Sequence, residues 1–419
     1  MKYRLATYYI LIGSRDTVGS SSQNLTGDMN MIPWTRWRHV WSGPPSTCLC
    51  HVMISSMASH RAVRCSGEEK MRGSPERRGR TAAGGNRHAA ASMLGHPGGV
   101  GVVRASVARE PLFTFGVIAD VQYADIPDGR SFLGVPRYYR HSITVLQRAV
   151  RSWNSHKAGV KFCVNFGDIV DGFCPKDRSL SAVQAVVAEF DRFHGGPAYH
   201  MLGNHCLYNL PRSELVSVLR MPGRAYYDFS PWPGYRFVVL DAYDFSAVGW
   251  PRDHPVAAAA RRFLEERNPN SDKNSPTGLA GEDRRFVMFN GGVGEEQLRW
   301  LDGVLRDASR RGETVVVCSH LPLHPGAASP AGLMWNYEEA LAVVHRHGCV
   351  AACLAGHDHK GGYAVDACGV HHRTPEAALE CPPGTDAFGH VDVFPGRLSL
   401  AGSGRMASTD TPLALPRLS

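Results

Sequence analysis

Residues 112–125 read LFTFGVIADVQYAD, an apolar run that ends in a carboxylate at Asp120. An apolar run of this length predicts a buried strand, with Asp120 and Gln122 at its end. The pattern returns at residues 161–166, which precede Asp168. A segment with helical spacing lies between the two runs. Strand, helix and strand with polar groups at the strand ends are the layout of an α/β sandwich.

Strand and helix patterns alternate as far as residue 402. The hydrophobic spacing predicts further strands at residues 199–202, 235–240, 315–318 and 350–355, and helices at residues 138–156, 179–194, 295–312 and 337–347. Two alternating segments within residues 389–402 predict a pair of neighbouring strands. Residues 268–294 are dense in Asn, Asp, Pro and Gly, and they predict a long loop that is either a functional lid or disordered.

Three further segments carry potential metal ligands directly after predicted strands. They are Gly203-Asn204-His205, Ser319-His320 and Gly356-His357-Asp358-His359. Each ligand segment alone has an ordinary explanation, because a carboxylate after a strand often caps a helix and a Gly-Asn-His tripeptide often forms a turn. Five such segments in one order are better explained by a single site at the edge of a sheet.

The chemistry that this ligand set favours is the hydrolysis of phosphoester or phosphoanhydride bonds. It requires neutralised charge on the phosphoryl group and an activated water, and two divalent ions about 3.5–4 Å apart supply both. Asp168 is the expected bridging ligand, because the glycine before it permits close approach of the backbone. The expected ligands are Asp120, Gln122 and His359 for one ion, and Asn204, His320 and His357 for the other.

Positive charge is concentrated at the start of the chain. The 419 residues carry 46 Lys/Arg and 38 Asp/Glu, and 15 of the basic but 6 of the acidic residues lie within residues 1–110. The remainder has 31 basic and 32 acidic residues, so no nucleic-acid partner is expected for it. No apolar run reaches the roughly 18 residues that span a bilayer, so no membrane partner is expected either.

The composition also predicts the domain boundaries. Residues 1–110 lack sustained strand or helix spacing, and we predict a basic, low-complexity, disordered tail there. A catalytic domain is expected at residues 111–405, followed by a C-terminal tail at residues 406–419. The 11 cysteines form no CxxC pair and no disulfide pattern, which favours a reducing, cytoplasmic location. Targeting to an organelle by the Arg-rich tail is the alternative.

With these motifs, the chain resembles the calcineurin-like metallophosphoesterases, and among them it is similar to the manganese-dependent ADP-ribose/CDP-alcohol diphosphatases. The narrower likeness rests on residues 120–125, 137–142, 240–244, 289–292, 319–322, 335–337 and 356–363. The resemblance covers about residues 112–405 and implies a four-layer αββα metallophosphoesterase sandwich. It also implies that His205 faces the phosphate without binding metal, and that it donates a proton or hydrogen bond to the leaving oxygen.

Gln122 and Cys206 depart from the usual pattern of the superfamily. Gln122 replaces the His of an Asp-x-His motif, and its amide oxygen favours Mn²⁺ or Mg²⁺ over Zn²⁺. The narrower family is similar in having Gln there. Cys206 stands where the superfamily commonly has Glu or Asp, and a thiol orients the neighbouring His205 poorly. We expect two divalent ions, with Mn²⁺ preferred and Mg²⁺ or Zn²⁺ as alternatives.

Three residues are candidates for substrate binding. Phe132 and Arg137 follow the first motif, on a segment expected to overhang the metals. There the aromatic ring would stack on a base and the guanidinium would hold the second phosphate. Leu279, in the long loop, is expected to line the same pocket. One of Tyr138 and Tyr139 is expected to pack in the core instead.

These features predict a monomer that hydrolyses the phosphoanhydride bond of small nucleotide substrates, ADP-ribose and CDP-alcohols. The products would be a nucleoside monophosphate and a phosphorylated alcohol. A phosphomonoesterase or a cyclic-nucleotide phosphodiesterase would use the same metal site with a different pocket. A scaffold protein whose basic tail binds RNA or an acidic partner is an alternative of another class, against which the complete ligand set argues.

Overall fold

Apolar strands alternate with amphipathic helices through residues 110–412, which are the residues that the structure, a computed structural model, describes. The strands, numbered along the chain, are β1 Phe113–Ile118, β2 Gly129–Arg130, β3 Pro136–Arg137, β4 Val160–Asn165, β5 Ala198–His200, β6 Tyr227–Trp232, β7 Tyr235–Val239, β8 Thr314–Ser319, β9 Val350–Ala355, β10 Gly362–Val365, β11 His371–Thr374, β12 Ala387–Phe394, β13 Arg397–Gly404 and β14 Thr409–Pro412. Twelve of these strands form two six-stranded sheets, and β2 pairs with β3 alone.

Both large sheets mix parallel and antiparallel strands. The first has the order β14-β13-β12-β1-β4-β5, and the second has the order β10-β11-β9-β8-β7-β6. Parallel pairing joins β1 to β4 and β4 to β5 in the first sheet, and β7 to β8, β8 to β9 and β9 to β11 in the second. The carboxyl ends of β1 and β4 therefore lie at one edge of the first sheet, and those of β8 and β9 at one edge of the second.

The helices connect the strands and cover the sheets. They are α1 Ser142–Asn154, α2 Ser179–Phe190, α3 Asn204–Asn209, α4 Arg212–Val218, α5 Pro255–Arg267, α6 Glu295–Arg310 and α7 Tyr337–His345, with short 3₁₀ turns at Lys176–Arg178, Gly281–Arg285, Pro325–Ala327, Pro330–Gly332 and Ala378–Glu380. The buried face of α1 includes Val145, Leu146, Ala149 and Trp153, whose spacing of three and four residues forms one apolar stripe.

Aromatic side chains fill the space between the two sheets. The ring of Phe115 on β1 stacks on Phe162 of β4 and meets Phe237 of β7 edge to face, with centroids 5.1 Å apart in both pairs. On the opposite face of β1, Gly116 lies so close to Trp153 of α1 that a Cβ would be 2.5 Å from the indole ring. The order helix, sheet, sheet, helix confirms the predicted αββα sandwich.

The expectations missed strands β2, β3, β6, β10 and β11 and helices α3 and α4, and three further local features differ from them. Helix α5 was not predicted, because its run of alanines gives little hydrophobic contrast. Strand β14 lies inside the predicted tail at residues 406–419 and pairs antiparallel with β13, so the folded domain reaches at least residue 412. The predicted loop at 268–294 is ordered around the fully buried Asn268, whose amide donates hydrogen bonds to the backbone oxygens of Ser275 and Phe286.

The predicted tail at residues 1–110 lies outside the described residues, apart from its last residue. Within residues 110–412, no helix has the length and apolar character that a membrane span requires.

Candidate metal centre

The predicted ligand segments converge from both sheets. Asp168 follows β4 of the first sheet, His320 follows β8 of the second, and His320 Nε2 lies 3.4 Å from Asp168 Oδ2. Two backbone hydrogen bonds hold the loops together, from Gln122 N to Asp168 O at 2.7 Å and from Gly356 N to His320 O at 2.9 Å. The edges of the two sheets therefore meet at one buried polar site.

The backbone of this site is unusual. Among the described residues, five that are not glycine have a positive φ, and four of them are predicted ligands: Asp120 at 52°, Gln122 at 42°, Asp168 at 51° and His357 at 68°. This left-handed conformation is sterically unfavourable for residues with a Cβ, and it clusters at functional sites. The strain therefore marks these loops as shaped for side-chain placement.

Each of the three predicted histidine ligands donates one ring proton to a fixed acceptor. His320 directs Nδ1 to the carbonyl oxygen of Phe166 at 2.6 Å, and His359 directs Nδ1 to Glu380 Oε1 at 2.9 Å. His357 directs Nε2 to Asn290 Oδ1 at 2.8 Å. With these nitrogens protonated, the opposite ring nitrogen of each histidine offers a lone pair toward the centre, as metal-binding histidines do.

The opposite nitrogens lie next to one another and to the two buried carboxylates. His357 Nδ1 is 3.2 Å from His320 Nε2, and one donor atom from each of Asp168, His320 and His357 lies within 4.8 Å of the other two. His359 Nε2 is 3.6 Å from Asp120 Oδ1. Three nitrogens and two carboxylates therefore lie together at one buried site.

Burial and close contact shift the pKa values of these groups in opposite directions. Burial lowers the pKa of His357 well below its usual value, and the neighbouring His320 lowers it further. For His359, burial also lowers the pKa, but Asp120 and Glu380 outweigh it and raise the pKa to about 9, so an ion that binds there would have to displace the proton on Nε2. Burial raises the pKa of Asp168, but His320 and His205 outweigh it, so that the carboxylate stays ionised.

The donor set fits two divalent cations. Asp120 Oδ1 is completely buried and has no hydrogen-bond partner, and a buried polar oxygen without a partner is costly unless a cation compensates it. Two anionic carboxylates, neutral imidazole nitrogens and amide oxygens are the donors that Mn²⁺ or a similar ion would take.

The amide of Gln122 hydrogen-bonds through its nitrogen. Nε2 donates to Asp168 Oδ2 at 3.3 Å and to His359 Nε2 at 3.0 Å, while Oε1 accepts from Arg137 Nη1 at 3.5 Å. As a metal ligand Gln122 would present Oε1 instead, which a half-turn of the amide group supplies. The Gln122 side chain lies at the site, but its amide nitrogen, not its amide oxygen, points toward Asp168 and His359.

Asn204 reaches the same site from the first residue of α3. Its Oδ1 accepts a hydrogen bond from the Tyr243 hydroxyl at 3.1 Å, and its Nδ2 donates to the Tyr208 hydroxyl at 3.4 Å. An amide oxygen has two lone pairs, so one remains available for a cation while the other accepts from the Tyr243 hydroxyl.

A buried carboxylate lies beside His205, but it does not come from position 206. Burial raises the pKa of the Cys206 thiol to about 12, and its sulfur accepts the N–H of Ile169 at 3.3 Å. Asp171 Oδ2 instead lies 3.3 Å from His205 Nδ1, which also accepts the N–H of Gly172 at 2.8 Å. Asp171 Oδ2 makes no hydrogen bond, so the Gly172 N–H is the group that holds Nδ1 of the His205 ring.

Glycines before the ligands permit the close packing of this centre. A Cβ on Gly203 would lie 2.0 Å from Asp168 Oδ1, and one on Gly167 would lie 2.5 Å from His320 Nδ1. Gly167 also has a φ of 96°, which side chains rarely permit. Gly167, the glycine before Asp168, was expected to permit a close approach of the backbone. The structure shows such an approach, between Gly167 and the ring of His320.

Comparison with known proteins agrees with this geometry. The sequence profile described as calcineurin-like phosphoesterase matches residues 113–361, which include β1 and all the predicted ligands. The chain belongs to this family. The phosphoesterase is also similar to curated relatives over most of their length.

Those relatives share one name. The protein called manganese-dependent ADP-ribose/CDP-alcohol diphosphatase in Oryza sativa subsp. japonica is 71% identical over 313 residues, which cover 74% of this chain and 97% of that protein. The protein of the same name in Homo sapiens is 42% identical over 320 residues, covering 72% and 93%.

A solved structure is similar as well. The crystal structure of a dimetal phosphatase from Danio rerio matches the phosphoesterase with 40% identity and a TM-score of 0.70, covering 73% of this chain and 100% of that one.

The candidate substrate residues occupy different environments in the phosphoesterase. Arg137 lies inside the centre, because its Nη1 is 3.5 Å from both Asp171 Oδ2 and Gln122 Oε1. Phe132 exposes 79% of its surface on the hairpin between β2 and β3. Leu279 is half-buried in the ordered segment that precedes α6. Of the two tyrosines after Arg137, Tyr139 is the one that packs in the core, at 3% exposure.

Four residues that contact the centre were not singled out as site residues. Tyr243 and Asn290 lie within segments that carried the family resemblance, and Asp171 lies three residues after the predicted ligand Asp168, so the sequence held a signal for all three. No sequence signal pointed to Glu380, because it follows His359 by 21 positions with no motif around it. It reaches His359 because the turn at its position hydrogen-bonds to the end of β1, from Leu379 N to Asp120 O at 3.0 Å.

Proposed function

We propose that this phosphoesterase hydrolyses the phosphoanhydride bond of ADP-ribose and CDP-alcohols with two divalent ions, preferably Mn²⁺. The observation that carries the proposal is the arrangement of three histidines. Each is fixed by an acceptor on one ring nitrogen and turns the other toward two buried carboxylates. The names of the relatives, one of them 71% identical over 74% of this chain, support the substrate class.

The proposed ligands divide between two ions, with Asp168 shared. Asp120, Gln122 and His359 would hold one ion, and Asn204, His320 and His357 the other. Two ions held by these residues would neutralise charge on the transferring phosphoryl group and would activate a water molecule.

His205 is proposed to act on the leaving oxygen. The N–H of Gly172 occupies Nδ1, so the ring carries its proton on Nε2. That N–H would donate a hydrogen bond to the oxygen on which charge develops as the phosphoanhydride bond breaks. The buried carboxylate of Asp171 lies 3.3 Å from Nδ1 without a hydrogen bond to it, so the N–H of Gly172 is what orients the imidazole.

Arg137 is proposed to hold the second phosphate of the substrate. Its guanidinium is 14% exposed and is anchored from one side by Asp171, which leaves further N–H groups for an anionic ligand. Phe132, exposed on the neighbouring hairpin, would stack on the base, and Leu279 would line the pocket.

The full-length protein, stripped of metal by a chelator, provides the test. We expect recovery of activity with Mn²⁺ to exceed that with Zn²⁺, and ADP-ribose and CDP-choline to yield a nucleoside monophosphate and a phosphorylated product. Faster turnover of an aryl phosphate or a cyclic nucleotide than of both diphosphates would overturn the assignment and favour a phosphomonoesterase or phosphodiesterase. Recovery that is equal or better with Zn²⁺ would contradict the metal preference.

A pair of variants tests the roles of the residues. Asp168→Asn should abolish activity and reduce the content of both ions. His205→Ala should lower kcat by roughly 10²–10⁴-fold with the metal content intact. Loss of bound metal from the His205→Ala protein would make this histidine a ligand and disprove its proposed role.

We further propose that the catalytic unit acts as a monomer on small nucleotides in the cytoplasm, and that residues 1–110 are dispensable for turnover. No proposed ligand lies in that segment. Deleting it should leave kcat/KM for ADP-ribose nearly unchanged, and sedimentation velocity should give the mass of one chain. A large loss of folded protein would show that the segment packs on the catalytic unit.

A further inference from the structure

A second group of metal-ligating side chains lies away from the catalytic ligands. It consists of His345 at the end of α7 with Asp366 and Cys368 in the turn between β10 and β11, and we call it the hairpin cluster. One donor atom from each of these three residues lies within 4.8 Å of the other two. None of them is in the proposed catalytic set.

The carboxylate of Asp366 is fixed by the turn that carries it. Its Oδ1 accepts the backbone N–H groups of Cys368 and Val370, both at 2.9 Å. Its Oδ2 faces His345 Nε2 at 2.7 Å and His372 Nε2 at 2.9 Å. The side chain is 5% exposed. The turn therefore presents an oriented carboxylate oxygen between two imidazoles, with a cysteine two residues away on the same turn.

The two histidines have different surroundings. The His372 side chain is 2% exposed, and burial lowers its pKa to about 4, so the ring stays neutral and donates Nε2–H to Asp366. The His345 side chain is 29% exposed and approaches from a different element. His345 can turn its Nε2 lone pair inward with the ring proton on Nδ1, whereas His372 continues to hold the carboxylate.

We propose that the hairpin cluster binds one zinc-class divalent ion through His345 Nε2, Asp366 Oδ2 and Cys368 Sγ, with His372 as the positioning residue for Asp366. Nitrogen, sulfur and carboxylate oxygen are the donors that Zn²⁺ takes in proteins. Binding would release the thiol proton to solvent, because the thiolate is the ligand. A thiolate also favours softer ions than the oxygen-rich catalytic centre does, so the two sites would select different metals.

Such an ion would join α7 to the outer edge of the second sheet. Strand β10 is the last strand of that sheet, and it is paired only with β11 within the described residues. The loop that carries His357 and His359 runs directly into β10. A metal cross-link at the far end of this hairpin would therefore stabilise the strand that follows the catalytic loop.

Cobalt binding to the full-length protein tests the proposal, because a Co²⁺–thiolate bond gives a near-ultraviolet charge-transfer band and no cysteine belongs to the proposed catalytic set. We expect this band in the wild-type protein and its loss in both Cys368→Ser and His345→Ala. Equilibrium dialysis should show one fewer Zn²⁺ per chain in each variant. Activity with Mn²⁺ should be retained in both.

A matched control is available on the same surface. His347 lies two residues beyond His345 and pairs with Asp302 at 2.8 Å, but it is not part of the hairpin cluster. His347→Ala should keep the charge-transfer band and the zinc stoichiometry. His372→Ala should weaken zinc binding by roughly 10–100-fold without removing a ligand. A wild-type protein without the band, or a band that persists unchanged in Cys368→Ser and His345→Ala, overturns the proposal.

Discussion

A single methyl group added at Gly203 should disable the phosphoesterase. The Cβ of Gly203→Ala would lie 2.0 Å from Asp168 Oδ1, 2.5 Å from its Cγ and 2.7 Å from its backbone nitrogen. Rotation of the Asp168 carboxylate could relieve the first two contacts but not the third, because the third involves the backbone of Asp168. Gly203 has a φ of −113°, which alanine adopts readily, so the effect is purely one of space.

The expected loss follows from the displacement. Ordinary contacts with a Cβ begin near 3.4 Å, so the proposed bridging carboxylate must move by more than an ångström. It would also lose the hydrogen bond that Oδ1 accepts from His205 N at 2.8 Å. A misplacement of about 1 Å in an active site costs about 10²-fold in rate, which is about 2.7 kcal/mol. Overpacking should destabilise the fold by about 1–3 kcal/mol.

The assay compares kcat with Mn²⁺, bound Mn²⁺ per chain and urea unfolding for Gly203→Ala and for Gly303→Ala. Gly303 lies in α6, and a Cβ there would meet nothing within 4 Å. Gly303→Ala should keep full activity and gain about 0.5–1 kcal/mol of stability, since alanine is the better helix former. If Gly203→Ala binds two ions and keeps kcat within about threefold of the wild type, the steric reasoning is refuted.

Three further perturbations have defined outcomes. Glu380→Gln removes the charge that faces His359 and should weaken Mn²⁺ activation by roughly 10–100-fold, and an unchanged Mn²⁺ titration curve would contradict this role. Burial lowers the pKa of His200 from 6.5 to about 4, so the unfolded chain binds the proton first and stability is lost as the pH falls through this range. The loss should reach about 3 kcal/mol, and urea unfolding of His200→Gln should show a flatter pH dependence. Phe132→Ala should change the ratio of kcat/KM for ADP-ribose to that for CDP-choline. Arg137→Ala should instead lower kcat/KM for both diphosphates and leave that for an aryl phosphate unchanged. A uniform loss on all three substrates in each variant would disprove these separate roles.

The sequence predicted the sandwich and the convergence of the ligand segments because both depend on local patterns. Apolar runs that end in Asp120 and Asp168 are visible within a few residues. Strand β14 carries no such pattern, because Thr-Asp-Thr-Pro has neither apolar alternation nor a turn signal. It forms because β13 offers an open edge, which depends on the assembled sheet.

The supporting residues of the centre were harder to predict for the same reason. Glu380 meets His359 only because a 3₁₀ turn crosses the end of β1, and Asn290 meets His357 only because the ordered segment before α6 folds around Asn268. Cys206 was expected to orient His205 poorly, and no local pattern in the sequence predicted that the N–H of Gly172 would hold the ring instead.

The left-handed backbone at Asp120, Gln122, Asp168 and His357 has a consequence for engineering. Each such residue stores of order 1 kcal/mol or more of strain, and glycine would relieve it without cost at the same φ. Selection of this protein for heat resistance alone would therefore reward the replacement of its own active-site side chains. A stability screen would therefore need an assay of hydrolysis at every round. Without it, the most stable variants selected would be folded proteins that no longer hydrolyse their substrates.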